Sequence, residues 1–126
     1  MKVFVASLLI LALMIAGGAA GDMYLQSVAD EMNTYADQID QAAEQEDYER
    51  VRAVYQQLQQ YWDDNIRYLT ALVDHAHTVE IDKSLKELEM GLAVEEDVEI
   101  LLSSARVRME ITSIANDEHL HIKNIL

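Results

Sequence analysis

The chain has 126 residues, a formal net charge of −14, no proline and no cysteine. Half of its residues are apolar, which excludes a disordered tail and leaves material for one domain with a modest core. Without cysteine there are no disulfides, thiolate zinc sites, lipidated cysteines or thiol catalysis, and the acidity argues against a nucleic-acid partner.

The absence of proline points to helices, whose interiors exclude it. The first element is Val3 to Gly21, apolar or small throughout, with Ser7 its one hydroxyl and no charge. At 1.5 Å per residue it spans roughly 28 Å, close to the thickness of a bilayer core. Lys2 precedes it and Asp22 follows it. The positive-inside rule therefore puts the N-terminus in the cytoplasm and Asp22 onward outside. The expected organisation is a signal anchor over residues 1–21 and an acidic extracytoplasmic domain over 22–126. Gly18-Ala19-Ala20 also has the small-x-small pattern of a signal-peptidase site, so cleavage near Ala20, releasing a secreted chain, is the competing outcome. A buried core helix is a third reading. The helical register runs without a breaker into Asp22, Met23, Tyr24 and Leu25, which favours the retained anchor.

Next, Leu25, Val28, Met32, Tyr35, Ile39 and Ala42 recur at alternating spacings of three and four, the apolar stripe of an amphipathic helix. The stripe stops at Glu44-Gln45-Glu46-Asp47, and Asp47 is placed to cap the following helix. A second stripe holds Tyr48, Val51, Tyr55, Leu58, Trp62, Ile66, Leu69 and Leu72, with Asn65 on it as a polar register-setting residue. Two such helices joined by a short turn bury both stripes only as an antiparallel hairpin. Trp62 and Tyr55 read as core, although with Tyr61 and Tyr68 an aromatic binding strip is the other reading.

Asp74-His75-Ala76-His77-Thr78 breaks the pattern. Thr78 is the expected restart, followed by a stripe at Ile81, Leu85, Leu88 and Leu92, with Gly91 marking a turn or helix end. The last helix is expected from about Glu95 to Ala115, its first turn formed by Glu95-Glu96-Asp97. It carries two stripes, one at Val98, Leu101, Leu102, Ala105 and Met109, the other at Ile100, Val107, Ile111 and Ile114. Either this helix is the most buried of the set or one face is left for a partner. Leu120, Ile122, Ile125 and Leu126 read as a tail docking onto the bundle near the helices that begin at Thr78 and Glu95. The fold class is thus all-α: an N-terminal transmembrane helix followed by a small bundle of about four helices in two antiparallel hairpins. The hairpins share no convincing sequence similarity, and no repeat is read from them.

The chemistry is sparse. There is no Gly-rich phosphate loop and no nucleophile elbow. Adjacent acids such as Asp63-Asp64 point apart on a helix and lack a calcium-loop context. No catalytic residue and no cofactor is assigned. The candidate metal ligands are His75, His77, His119 and His121, two His-x-His pairs with acids beside them. On a helix, residues i and i+2 project about 200° apart, so each pair chelates only in an extended segment. Histidines serving turn packing or solubility are the plainer reading.

The chain resembles the small membrane-anchored helical proteins of clostridia and relatives known as domain of unknown function 4363. The resemblance rests on the apolar anchor, on Glu46-Asp47-Tyr48, on Trp62 followed by His75, Ile81, Asp82, Ser84, Leu85 and Leu88, and on Leu120, Ile122, Lys123, Asn124, Ile125 and Leu126. His77, His119 and His121 depart from the family pattern, which weakens metal binding as a family trait. The resemblance implies a Gram-positive source and an extracytoplasmic domain, with no activity assigned. The expected function is a non-enzymatic module that binds or scaffolds another envelope protein. The alternative is an extracytoplasmic protein binding a metal or other ligand through the histidine pairs.

Overall fold

The computed structural model describes the backbone of residues 1–125 and the side chains of residues 1–116. Four helices follow one another: α1 (Lys2–Glu44), α2 (Tyr48–Leu72), α3 (His75–Ala93) and α4 (Asp97–Ile125). They form an up-down-up-down bundle in which α1 packs on α2 and α4, and α3 packs on α4 and, more lightly, on α2. The expected all-α bundle of two hairpins is what forms. Its first helix and the apolar N-terminal segment are one unbroken 43-residue helix, about 64 Å long at 1.5 Å per residue. The upstream part is long and apolar enough to cross a bilayer, and none of that stretch is buried. Length and composition suit a membrane anchor and a signal sequence alike. Burial begins at Leu25.

Most residues of the stripes read from the sequence form the core, while Leu72 and most of one stripe of α4 are exposed. Met32 and Ile39 of α1, Leu58 and Trp62 of α2, Ile81 and Leu88 of α3, and Ile100 and Ile111 of α4 are all inaccessible to solvent or nearly so. Asp47 caps α2 as expected, its carboxylate accepting from the Arg50 amide at 3.3 Å. Asn65 ties α2 to α1, its Oδ1 accepting from the Tyr24 hydroxyl at 2.6 Å, while its Nδ2 donates to the Tyr61 carbonyl at 2.7 Å.

Four local expectations are corrected. Helix α3 restarts at His75 rather than Thr78, because the Asp74 carboxylate accepts from the Ala76 amide and caps it. Thr78 lies buried one turn inside, its hydroxyl donating to the His75 carbonyl at 2.8 Å. Gly91 does not end α3. It lies within the helix with ordinary backbone angles, and a Cβ there would stand 3.0 Å from the Glu99 Cβ and 3.3 Å from the backbone of α4. Its role is close approach of two helices. The reversal of direction falls instead on Glu95, with φ of 53°, so α4 begins at Asp97 and only Asp97 and Glu99 serve as acids of its first turn. At its other end α4 runs to Ile125, past the Ala115 boundary expected from the sequence. The tail-docking expectation for Leu120, Ile122, Ile125 and Leu126 lies outside the described side chains.

The two hairpins repeat one another under a shift of 49 residues, from Glu46 with φ of 56° to Glu95 with φ of 53°. Each hairpin turns through the same pair of backbone bonds: Glu46 to Ala43 and Asp47 to Ala42 in the first, Glu95 to Leu92 and Glu96 to Gly91 in the second. This is the Schellman closure, here with glutamate at the left-handed position usually held by glycine. The same shift carries buried position onto buried position: Met32 to Ile81, Ala36 to Leu85, Ile39 to Leu88, Val51 to Ile100, Leu58 to Val107 and Trp62 to Ile111. The domain is therefore a structural duplication whose equivalent core residues differ in identity.

Candidate functional site

The histidine pairs come first. His75 and His77 lie in the first turn of α3. Their side chains leave the helix about 200° apart, so one ion cannot take both. His75 is exposed and His77 half-buried. His119 and His121 lie outside the described side chains. Among the described residues no group of three or more His, Cys, Asp and Glu side chains stands together in a metal-ligating arrangement.

The described titratable groups with displaced pKa values are engaged in holding helices together. At the far end of the bundle the Tyr48 hydroxyl donates to Asp97 at 2.6 Å. That bond, reinforced by burial and the Asp97 charge, pushes the phenol up to about 12. The Arg52–Glu95 ion pair at 2.7 Å closes the same end. Midway along, the Tyr55 hydroxyl bridges to Glu89 at 3.3 Å. Burial, followed by the Glu89 charge and bond, raises this phenol to about 12 as well. Between α1 and α4, burial pushes the Asp40 carboxyl up, opposed by the adjacent Ser104 hydroxyl and the Arg108 guanidinium, which donates to Asp40 at 2.9 Å.

These shifts set a pH dependence. An unperturbed phenol titrates near 10. Between about pH 10 and 12 the folded chain holds protons on Tyr48 and Tyr55 that the unfolded chain releases, so stability falls as pH rises through that window. Phenolate absorbance of the native protein should lag that of the urea-unfolded protein. Tyr48→Phe and Tyr55→Phe should each remove part of the lag. Superimposed native and unfolded curves would count against both bonds.

Helix α4 presents the feature that core packing does not absorb. Of its two apolar stripes, Ile100, Val107, Ile111 and Ile114 face the core. Leu101 is half-buried against that core. Val98, Leu102 and Met109 are 64%, 48% and 69% exposed, with Ala105 exposed between them. Their spacing of four, three and four is that of a coiled-coil seam, a stripe one helix wide. Glu99 and Glu110 border it on the side of Arg106, which is already paired with Glu87 of α3.

The internal duplication shows that this face is peculiar to the second hairpin. Shifted back by 49 residues, Val98 falls on Glu49, Leu102 on Ala53, Ala105 on Gln56 and Met109 on Gln60. Just before α4, exposed Met90 and Val94 fall on Gln41 and Gln45. All of these positions are exposed in both halves. The same scaffold position thus carries glutamine, glutamate or alanine in one hairpin and mostly large apolar side chains in the other. Both versions of this face are exposed, so burial in the core does not account for the apolar one. The sequence contained the signal, as the second stripe of α4. It did not say which stripe would be left over.

A family model described as domain of unknown function (DUF4363) matches residues 20–125. No curated protein and no solved structure matches the chain.

Proposed function

The chain belongs to the DUF4363 family, and from that premise we propose that it is a non-enzymatic, membrane-anchored module whose helical domain lies outside the cytoplasm and binds one helix of another envelope protein. The observation that carries this reading is the exposed stripe Val98, Leu102, Ala105 and Met109, apolar where the equivalent face of the first hairpin is largely polar. A seam one helix wide suits a partner helix lying along it, with apolar residues at i, i+3, i+4 and i+7. The acids Glu99 and Glu110 beside the seam favour lysine or arginine on the partner's flank. The apolar N-terminal stretch of α1 supplies the anchor, and the step from Lys2 to Asp22 supports the outward orientation. The displaced Tyr48, Tyr55 and Asp40 are engaged in ties between helices, which favours a binding role over catalysis.

A photo-crosslinking residue in place of Leu102 of the full chain, expressed in its own membranes, tests the reading. The control site is Ala53, its exposed counterpart. An adduct is expected from position 102 and not from position 53. Glutamate placed at Met109 should cut adduct formation at position 102 by about tenfold, a change of about 1.4 kcal/mol in binding. The same substitution should leave stability within about 0.5 kcal/mol, as at other surface sites. Equal yields at positions 53 and 102 would remove the seam as the binding face. An adduct of twice the chain mass would make the partner a second copy.

A further inference from the structure

The opposite end of the domain has a different surface, and its height above the anchor is set by the fold. Helix α1 is unbroken from Lys2 to Glu44, so the apolar segment and the bundle are rigidly continuous. If Val3 to Gly21 fills the hydrocarbon layer, Gly21 stands at its boundary, and Tyr24 stands about 4.5 Å beyond it along the helix axis. That distance lies within the interfacial layer of headgroups and carbonyls, roughly 5–8 Å deep on each side of the hydrocarbon core. The fold brings the end of α2 to this level. A Cβ on Gly21 would lie 3.7 Å from the Leu72 Cδ2, and the Tyr24 and Tyr68 rings meet edge to face with centroids 6.4 Å apart.

Leu72 is 41% exposed and Tyr68 61% exposed. Both are large, partly apolar side chains left uncovered at the end of the bundle nearest the apolar segment. Tyrosine is the residue type that favours this layer, with its ring on the apolar side and its hydroxyl toward water. Arg67 and Asp74, exposed at the same end, match the polar side of the layer. We propose that Tyr24, Tyr68 and Leu72 form a seat that sinks into the interfacial layer of the bilayer holding the anchor. The bundle then stands fixed on the membrane instead of swinging above it. The seat recognises the glycerol and carbonyl level of the lipid, not a headgroup charge, since the domain is acidic.

This seat rests on the anchor reading, and the experiment separates the two. The native chain has no cysteine, so one introduced cysteine carries a nitroxide at a unique place. Full-length chains labelled singly at Leu9, Tyr68, Leu72 or Val98 are reconstituted into phosphatidylcholine vesicles. Collisions with oxygen, which concentrates in lipid, and with a polar nickel chelate, which stays in water, report depth. All four sites are exposed, and circular dichroism checks that each labelled chain keeps its helical content. The expected result is a deep label at Leu9, an aqueous label at Val98, and labels at Tyr68 and Leu72 whose chelate collisions fall several-fold below those at Val98. A deep Leu9 label with Tyr68 and Leu72 as aqueous as Val98 would overturn the seat and leave the anchor standing. An aqueous Leu9 label would overturn the anchor, and the seat with it.

Discussion

Alanine in place of Trp62 should cost the domain about 3–5 kcal/mol, the range for deleting a large aromatic side chain from a packed core. Trp62 is fully buried in the middle of α2, and its indole Nε1 donates to Asp82 of α3 at 2.6 Å. Asp82 is exposed, so it rehydrates when the indole is gone. The loss therefore comes from packing and the cavity left behind, and only to a minor degree from the bond. Trp62→Phe separates the two contributions. It keeps a buried ring and removes the donor, and it should cost clearly less than the alanine variant. Urea melts of the full chain in detergent, followed by far-ultraviolet circular dichroism, measure both. A loss below about 0.5 kcal/mol for Trp62→Ala, as at surface sites, would contradict the burial.

Leucine in place of Gly91 should cost about 2–3 kcal/mol, toward the upper end of overpacking effects. On helix propensity alone any common side chain would improve on glycine, by up to about 1 kcal/mol for alanine. The space decides otherwise. The atoms that a side chain would meet are the Cβ and carbonyl carbon of Glu99 and the backbone nitrogen of Ile100, at 3.0 to 3.3 Å. Backbone cannot turn aside as the end of a flexible side chain can, so α4 would have to move away along its length. The first hairpin carries buried Ala42 at the equivalent position, so Ala42→Gly should also destabilise, by about 1 kcal/mol through propensity with lost packing added. The same melts apply. A Gly91→Leu domain as stable as the parent would show that the two helices are not held this close.

Several elements were legible because their cause is local. The three-and-four spacing in α1, α2 and α3 marks which side of each helix is apolar. Asp47 marks a start because a short carboxylate before a helix can reach the free amides of its first turn. The misplacements are equally local in kind but were settled elsewhere. Asp74 and Thr78 are both plausible caps. Asp74 takes the role because α3 extends a further turn and buries Thr78, as Ala29 is buried in the first hairpin. Gly91 resembled a helix end because glycine readily adopts the left-handed conformation. The chain instead places that conformation on Glu46 and Glu95 and keeps Gly91 for helix contact, a use that no spacing reveals. Among the candidate metal ligands, the arrangement of His75 and His77 was decided by their inclusion in a capped helix rather than in an extended segment.

By itself the sequence determined the helical composition, the apolar run at the N-terminus and the pairing of helices into hairpins. Proline-free amphipathic stretches joined by short polar turns have no other economical way to bury their stripes. The tertiary structure decided what depends on comparison between helices. The 49-residue duplication is invisible in residue identity, because burial constrains polarity and collective fit more than the individual side chain. Trp62 and Ile111, or Ala36 and Leu85, fill equivalent places once their neighbours adjust. Likewise the two stripes of α4 have the same period and similar apolarity. Periodicity assigns a direction to each face but no partner. Only the placement of α1 and α3 against Ile100, Val107, Ile111 and Ile114 left Val98, Leu102 and Met109 facing outward.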